Sequence, residues 1–120
     1  MTRLYLPFPP KELSPNARAD RWLRARKVRQ YRDECWVVGR QARGANPSGF
    51  PLPTPVHASV TFVVTTNRKR DEDNLAASIK ALWDGLVDAK VLSADDSKAL
   101  HIAEVSIRIG KKAAVEVELS

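Results

Sequence analysis

Residues 56–74 read V-H-A-S-V-T-F-V-V-T-T-N-R-K-R-D-E-D-N. Val56, Ala58, Val60, Phe62 and Val64 fall on alternate positions, so they share one face of an extended chain and predict a half-buried strand. The strand runs into three cations, Arg68, Lys69 and Arg70, and these into Asp71 and Asp73. Leu75, Ile79, Leu82 and Leu86 then recur at spacings of 4, 3 and 4, the period of an amphipathic helix. Asp73 is expected as its N-cap, since an aspartate there accepts the free backbone N–H groups of the first turn. The aspartates therefore mark a strand-to-helix junction. Two residues apart on an extended segment, they point the same way.

The flanks complete the domain. Leu4 to Phe8 is a short apolar run stopped by Pro9-Pro10, an edge strand. After the polar loop E-L-S-P-N-A-R-A-D, Val28, Tyr31, Cys35, Val38 and Ala42 form one helical stripe, with Arg26, Arg29, Arg32, Arg40 and Arg43 on the other faces and Gly44 as the stop. Residues 44–55, G-A-N-P-S-G-F-P-L-P-T-P, form a proline-rich connector. After the second helix and the loop L-S-A-D-D-S, Ala103, Val105, Ile107 and Ile109 alternate with polar residues. Gly110-Lys111-Lys112 turns the chain, and Ala113, Val115, Val117 and Leu119 return. The order β-α-β-α-β-β predicts an α+β fold: a single domain, residues 1–120, with two main helices and one mixed sheet.

Composition narrows the function. With 43% hydrophobic residues the chain can bury a modest core, and no apolar run is long enough to span a membrane. The N-terminal M-T-R-L-Y-L-P-F-P-P lacks the apolar segment of a signal peptide, so a cytoplasmic location is expected. One cysteine excludes an internal disulfide and a cysteine-based zinc cluster. Between Arg18 and Arg43 stand nine Lys/Arg against three Asp/Glu, a surplus equal to the whole net charge of +6. Such a surplus points to a polyanion, most often nucleic acid, or else to a basic solvated helix.

Asp95-Asp96 lies in the loop before the third strand. If that strand neighbours the one ending at Val64, the loop is expected to return towards Asp71 and Asp73. Clustered carboxylates repel one another, and a divalent cation relieves the repulsion. Magnesium takes hard oxygen ligands, and beside a phosphodiester it polarises the phosphate and activates water. Arg68, Lys69 and Arg70 would hold phosphates nearby. Lys80, seven residues after Asp73, shares a helix face with Asp73, Ala77 and Asp84, where a lysine can offset charge developing on a phosphate. Each residue also has a plainer reading. Asp73 is a helix cap, Lys80 and Asp84 an exposed i,i+4 pair, and Asp95-Asp96 turn chemistry.

R-x-R-D-E-D-N-L, K-A-L-W-D-G-L-V-D-A and A-D-D-S, in that order, resemble the RusA family of Holliday junction resolvases, small endonucleases common in phages and prophages. The resemblance is densest from Arg68 to Ser97 and extends to L-P-F-P-P and S-P-N-A-R near the N-terminus. It implies a homodimer in the bacterial cytoplasm, of phage or prophage origin. It implies binding to branched DNA, above all four-way junctions, and Mg²⁺-dependent nicking, with Mn²⁺ as a substitute and no organic cofactor. By motif position Asp71, Asp73 and Asp96 correspond to metal-binding catalytic residues, Asp95 to a neighbouring ligand, Lys80 to the helix lysine, and Arg70 to the arginine before the first aspartate. The distance from Asp73 to Lys80 is about one helical turn longer than in some bacterial members. Lys90 stands where many members have glycine.

Arg21, Arg24, Arg26, Lys27 and Arg29 are the candidates for contact with the DNA backbone. Trp22, Trp36 and Trp83 are candidates for stacking on unpaired bases, with core packing the competing role. His57, His101 and Cys35 have no fixed spacing to a partner and are read as structural. Ala77, Ala81 and Gly85 form a small-residue ridge suited either to a dimer contact or to packing on the protein's own sheet. Two other functions share these residues: a non-catalytic module for branched DNA, and a nuclease for flaps or other branched forms.

Overall fold

A computed structural model describes residues 1–120, and the expected order of elements is present. It comprises β1 (Thr2–Leu6), α1 (Arg21–Ala45), β2 (Val56–Val64), α2 (Glu72–Ser78), α3 (Lys80–Asp88), β3 (Leu100–Ile109) and β4 (Ala114–Leu119). The sheet is mixed, in the order β1-β4-β2-β3. β4 runs antiparallel to both β1 and β2, and β3 runs parallel to β2. The helices cover one face, over a core built from Leu4, Leu6, Val60, Phe62, Val115, Val117 and Leu119. The other face carries a polar ladder: Arg3 with Glu118, Arg108 with Glu116, and Thr61 with Ser106 at 3.1 Å.

Three local expectations need correction. The first concerns the cap. Asp71, not Asp73, holds the start of α2, its Oδ1 accepting from the Asp73 and Asn74 amides at 2.9 and 3.4 Å. Asp73 thereby falls in the first turn, where its charge suits the positive end of the helix.

The second concerns the helix that follows, which is broken at Ile79. The buried Ser78 hydroxyl donates to the Leu75 carbonyl at 2.6 Å. That carbonyl would accept the Ile79 N–H in an unbroken helix; the amide goes to Ala76 O instead, at 3.4 Å. The third concerns β3. Ala58 pairs with Ile102 but Ser59 with Glu104, so Ala103 is the extra residue of a β-bulge. Leu100 and Ile102 are in phase before the bulge and Val105 and Ile107 after it, and Ala103 is not part of the apolar face.

α1 and α3 meet at two glycines. An ideal Cβ on Gly85 would stand 2.5 Å from the Arg32 carbonyl, and one on Gly39 would stand 2.7 Å from Ala89 Cβ. Ala81 and Gly85, the inner part of the small-residue ridge, are therefore spent inside the fold. Past α3 the chain closes in a Schellman turn, with Lys90 N bonded to Val87 O and Val91 N to Leu86 O, each at 3.0 Å. Lys90 takes the left-handed position, with φ 65°, where glycine costs least.

Lys90→Gly is expected to raise stability by about 0.5–1 kcal/mol, by removing the Cβ penalty at that position. A denaturation midpoint that does not rise counts against this. Gly85→Ala is expected to cost about 1–3 kcal/mol by overpacking the α1–α3 seam. Gly44→Ala, with open space around its Cβ, is the matched control and should be neutral or stabilising in urea denaturation.

Candidate functional site

The C-terminal end of β2 delivers Arg68–Asp73 to the surface, where α2 begins. Asp71 contributes one oxygen to the cap, and its Oδ2 has no protein partner; the Asp73 carboxylate has none at all. Beside them lies an open cleft of about 280 Å³, lined on one side by Phe8, Pro9, Pro10 and Lys11 and on the other by Arg68, Arg70, Asp71 and Asn74. The N-terminal L-P-F-P-P segment thus joins the acidic motif in space, a link sequence could suggest only through resemblance.

Lys80, the first residue of α3, lies about 10 Å along the helical path from Asp73. Its ammonium donates to Asp84 Oδ1 at 2.8 Å and to Asp95 Oδ2 at 2.7 Å. Asp84, and then Asp95, hold Lys80 charged beyond its usual range, while the hydrogen bond from Lys80 holds the Asp95 carboxyl below the usual carboxylate range. The lysine side chain is 68% exposed, so these pairs are screened by water and contribute little to stability. Their effect is positional: a cation fixed between two carboxylates at the start of α3, beyond the break that separates it from Asp73 on α2.

The two members of the Asp95-Asp96 pair diverge. Asp95 faces Lys80. Asp96 turns its Oδ1 to the backbone amides of Lys98 and Ala99, both at 3.0 Å, and serves as a turn cap. No three carboxylates or imidazoles come together in one metal-sized group. The parallel register explains this. It places the start of β3 beside the start of β2, with Leu100 opposite Val56, at the end of the sheet away from Asp71 and Asp73. Asp95 approaches the acidic helix face only by way of Lys80. The oxygen-rich set still suits a hard cation in its chemistry. Magnesium is commonly held by one or two carboxylates, with water and substrate phosphate filling the remaining positions.

The cations divide into tied and free. Arg70 folds back on its own loop, donating to Thr66 O, Arg68 O and Thr66 Oγ1, each at 2.9 Å. Arg24 braces the loop before α1 through the carbonyls of Glu12, Leu13 and Ser14. Arg32 forks onto Asp88 at 2.6 and 2.9 Å. Arg21, Arg26, Lys27, Arg29, Arg68 and Lys69 make no ion pair within the chain. Two of the expected phosphate contacts, Arg24 and Arg70, are thus engaged in holding loops.

Trp83 is buried in the core and cannot stack on a base. Cys35 is fully buried, and burial pushes its thiol up to about 12, away from nucleophilic use. His57 and His101 pair edge to face across β2 and β3 with ring centroids 5.6 Å apart, at the end of the sheet remote from Asp71.

No family model matches the chain. It is 36% identical over 98 residues to an uncharacterized protein of Xylella fastidiosa (strain Temecula1), an alignment covering 82% of this chain and 62% of that protein. The chain therefore spans less than two thirds of the length of this relative.

The Lys80 arrangement has a testable pH signature. In the native protein the Asp95 carboxyl is depressed by the hydrogen bond from Lys80, so its contribution to stability is present at neutral pH and is lost as pH falls through its folded value. The raised Lys80 contributes below its ordinary value and is lost only in strong alkali. Lys80→Ala removes the cation and leaves Asp84 facing Asp95. The variant is expected to melt below the native protein at pH 7, the gap narrowing in acid as the Asp95 carboxyl protonates. A gap that stays constant with pH would show that the ammonium–carboxylate contacts are not its source.

Proposed function

We propose that this protein is a Mg²⁺-dependent, structure-selective DNA endonuclease that nicks four-way (Holliday) junctions, acting as a homodimer in the bacterial cytoplasm. The observation that carries this reading is the Lys80 ammonium set between Asp84 and Asp95 at the start of α3, the helix that follows the one begun by Asp71 and Asp73. The motif resemblance supports it, as does the basic surplus of the first helix. Asp71 and Asp73 would hold the ion, with water and substrate phosphate filling the remaining positions. When bound, Mg²⁺ (or Mn²⁺) supplies polarisation of the phosphodiester and activation of water.

The chain's own residues supply the rest. Arg68 and Lys69 draw the phosphate backbone to the cleft beside Asp71. Lys80 stays protonated across the physiological range, available to offset charge on the leaving oxygen. Arg70 fixes the loop that presents Asp71. Arg21, Arg26, Lys27 and Arg29 hold DNA without reading sequence.

A second reading, a binding module for branched DNA without catalysis, is favoured by one observation: Asp71 and Asp96 both already serve as backbone caps.

A nicking assay on a labelled synthetic four-way junction separates the two. It compares Mg²⁺ with EDTA, beside linear duplex and a flap, with native protein and Asp73→Asn. The expected result is paired Mg²⁺-dependent cuts on the junction, lost by at least about a hundredfold in Asp73→Asn with junction binding retained. Equal cutting of the flap would redirect the assignment to branched DNA in general. Binding without cutting in Mg²⁺ would establish the module.

A further inference from the structure

α1 turns one line of side chains away from the rest of the molecule. Trp22, Arg26, Arg29, Asp33, Trp36 and Arg40 succeed one another at spacings of 4, 3, 4, 3 and 4, a continuous stripe on a helix. The stripe lies opposite Tyr31 and Cys35, which are fully buried. Trp22 is 74% exposed and Trp36 37%. An indole held in water forgoes the large gain of burial, and aromatic groups so placed mark binding surfaces. Each ring has a guanidinium 5.2 Å from its centroid, Arg21 over Trp22 and Arg40 over Trp36. The two rings stand about 21 Å apart along the helix.

The charge on this face specifies the occupant. Arg21, Arg26, Arg29 and Arg40 form no ion pair within the chain, and Asp33 is the one acidic residue in the stripe. The arginines nearer the fold, Arg24 and Arg32, are by contrast both engaged. Cations without acidic partners, interleaved with exposed indoles, match a polyanion whose own flat groups are available for stacking. Paired bases in a duplex are stacked on one another and offer no such face. Unpaired bases do, whatever their sequence.

We propose that the outer face of α1 is a binding platform for single-stranded nucleic acid, with bases stacked on Trp22 and Trp36 and phosphates held by Arg21, Arg26, Arg29 and Arg40. This does not depend on the endonuclease reading, and its test is run in EDTA, where no Mg²⁺-dependent cleavage occurs.

Oligo(dT) is titrated into the full chain while indole emission is followed, with the buried Trp83 as a constant background. Saturable quenching is expected. Trp22→Leu should weaken binding about tenfold and Trp22→Phe much less, because phenylalanine retains a stacking face. The dependence of log K on log salt should be unchanged in Trp22→Leu and shallower by about 1.4 in the double variant Arg26→Ala/Arg29→Ala. Binding without quenching, equal affinity in Trp22→Leu, or equal competition by duplex DNA or heparin would each overturn the proposal. The last outcome would reduce the face to a general polyanion surface.

Discussion

The structure turns on how closely α3 approaches α1. At Gly85 the Arg32 carbonyl occupies the space a Cβ would take, and at Gly39 the methyl of Ala89 does the same. Two helices so close exclude water along their seam, and Leu82, Leu86, Tyr31 and Cys35 are buried there and against the sheet. The Arg32–Asp88 fork closes the seam at its rim. α3 buries Ala81, Leu82, Trp83, Gly85 and Leu86, so Lys80, Asp84, Val87 and Asp88 are the residues that keep access to solvent, and the charged cluster stands there.

The same constraint divides the arginines. Side chains on the inner and lateral parts of α1 lie within reach of loop carbonyls and of α3, and Arg24 and Arg32 are consumed there. On the outer face Arg21, Arg26, Arg29 and Arg40 form no ion pair, and Arg21 and Arg40 lie against Trp22 and Trp36. One long helix thus serves both as a structural wall and as a charged, aromatic surface. A net charge count cannot separate these uses, because a guanidinium spent on a carbonyl still carries its charge.

The fold was largely legible because its signals are local. Alternation in β2 and β4 and helical spacing in α1 and α3 survive intact, since each element buries one face on a single layer. The beginning of α1 was missed at the apolar stripe, which starts at Val28. The signal was Asp20, whose carboxylate accepts the Leu23 amide at 2.9 Å. The first turns beyond it carry few apolar residues because they overhang a loop instead of the core. The break at Ile79 was hidden by an unbroken 4-3-4 spacing. At the break the buried Ser78 hydroxyl donates to Leu75 O, the carbonyl that would accept the Ile79 amide in an unbroken helix. The bulge at Ala103 had a signal, the change of apolar phase from Leu100 and Ile102 to Val105 and Ile107, masked because Ala103 itself fits the later phase.

Sequence alone determined the identity of the chemical groups: two aspartates at a strand–helix junction, a lysine on the helix face that follows, an aspartate pair before the next strand, and a basic helix with two tryptophans. Those are properties of spacing, and spacing fixes which residues share a face. Tertiary structure alone decided which groups meet. The parallel pairing of β3 with β2 sent the Asp95-Asp96 loop to the far end of the sheet. The turn geometry gave Asp95 to Lys80 and Asp96 to its own backbone. The burial of α3 took Trp83 into the core, while Trp22 on the outer face of α1 stayed exposed. Each of these is a contact between segments distant in the chain, set by which surfaces bury each other best, and no local pattern in the residues records it.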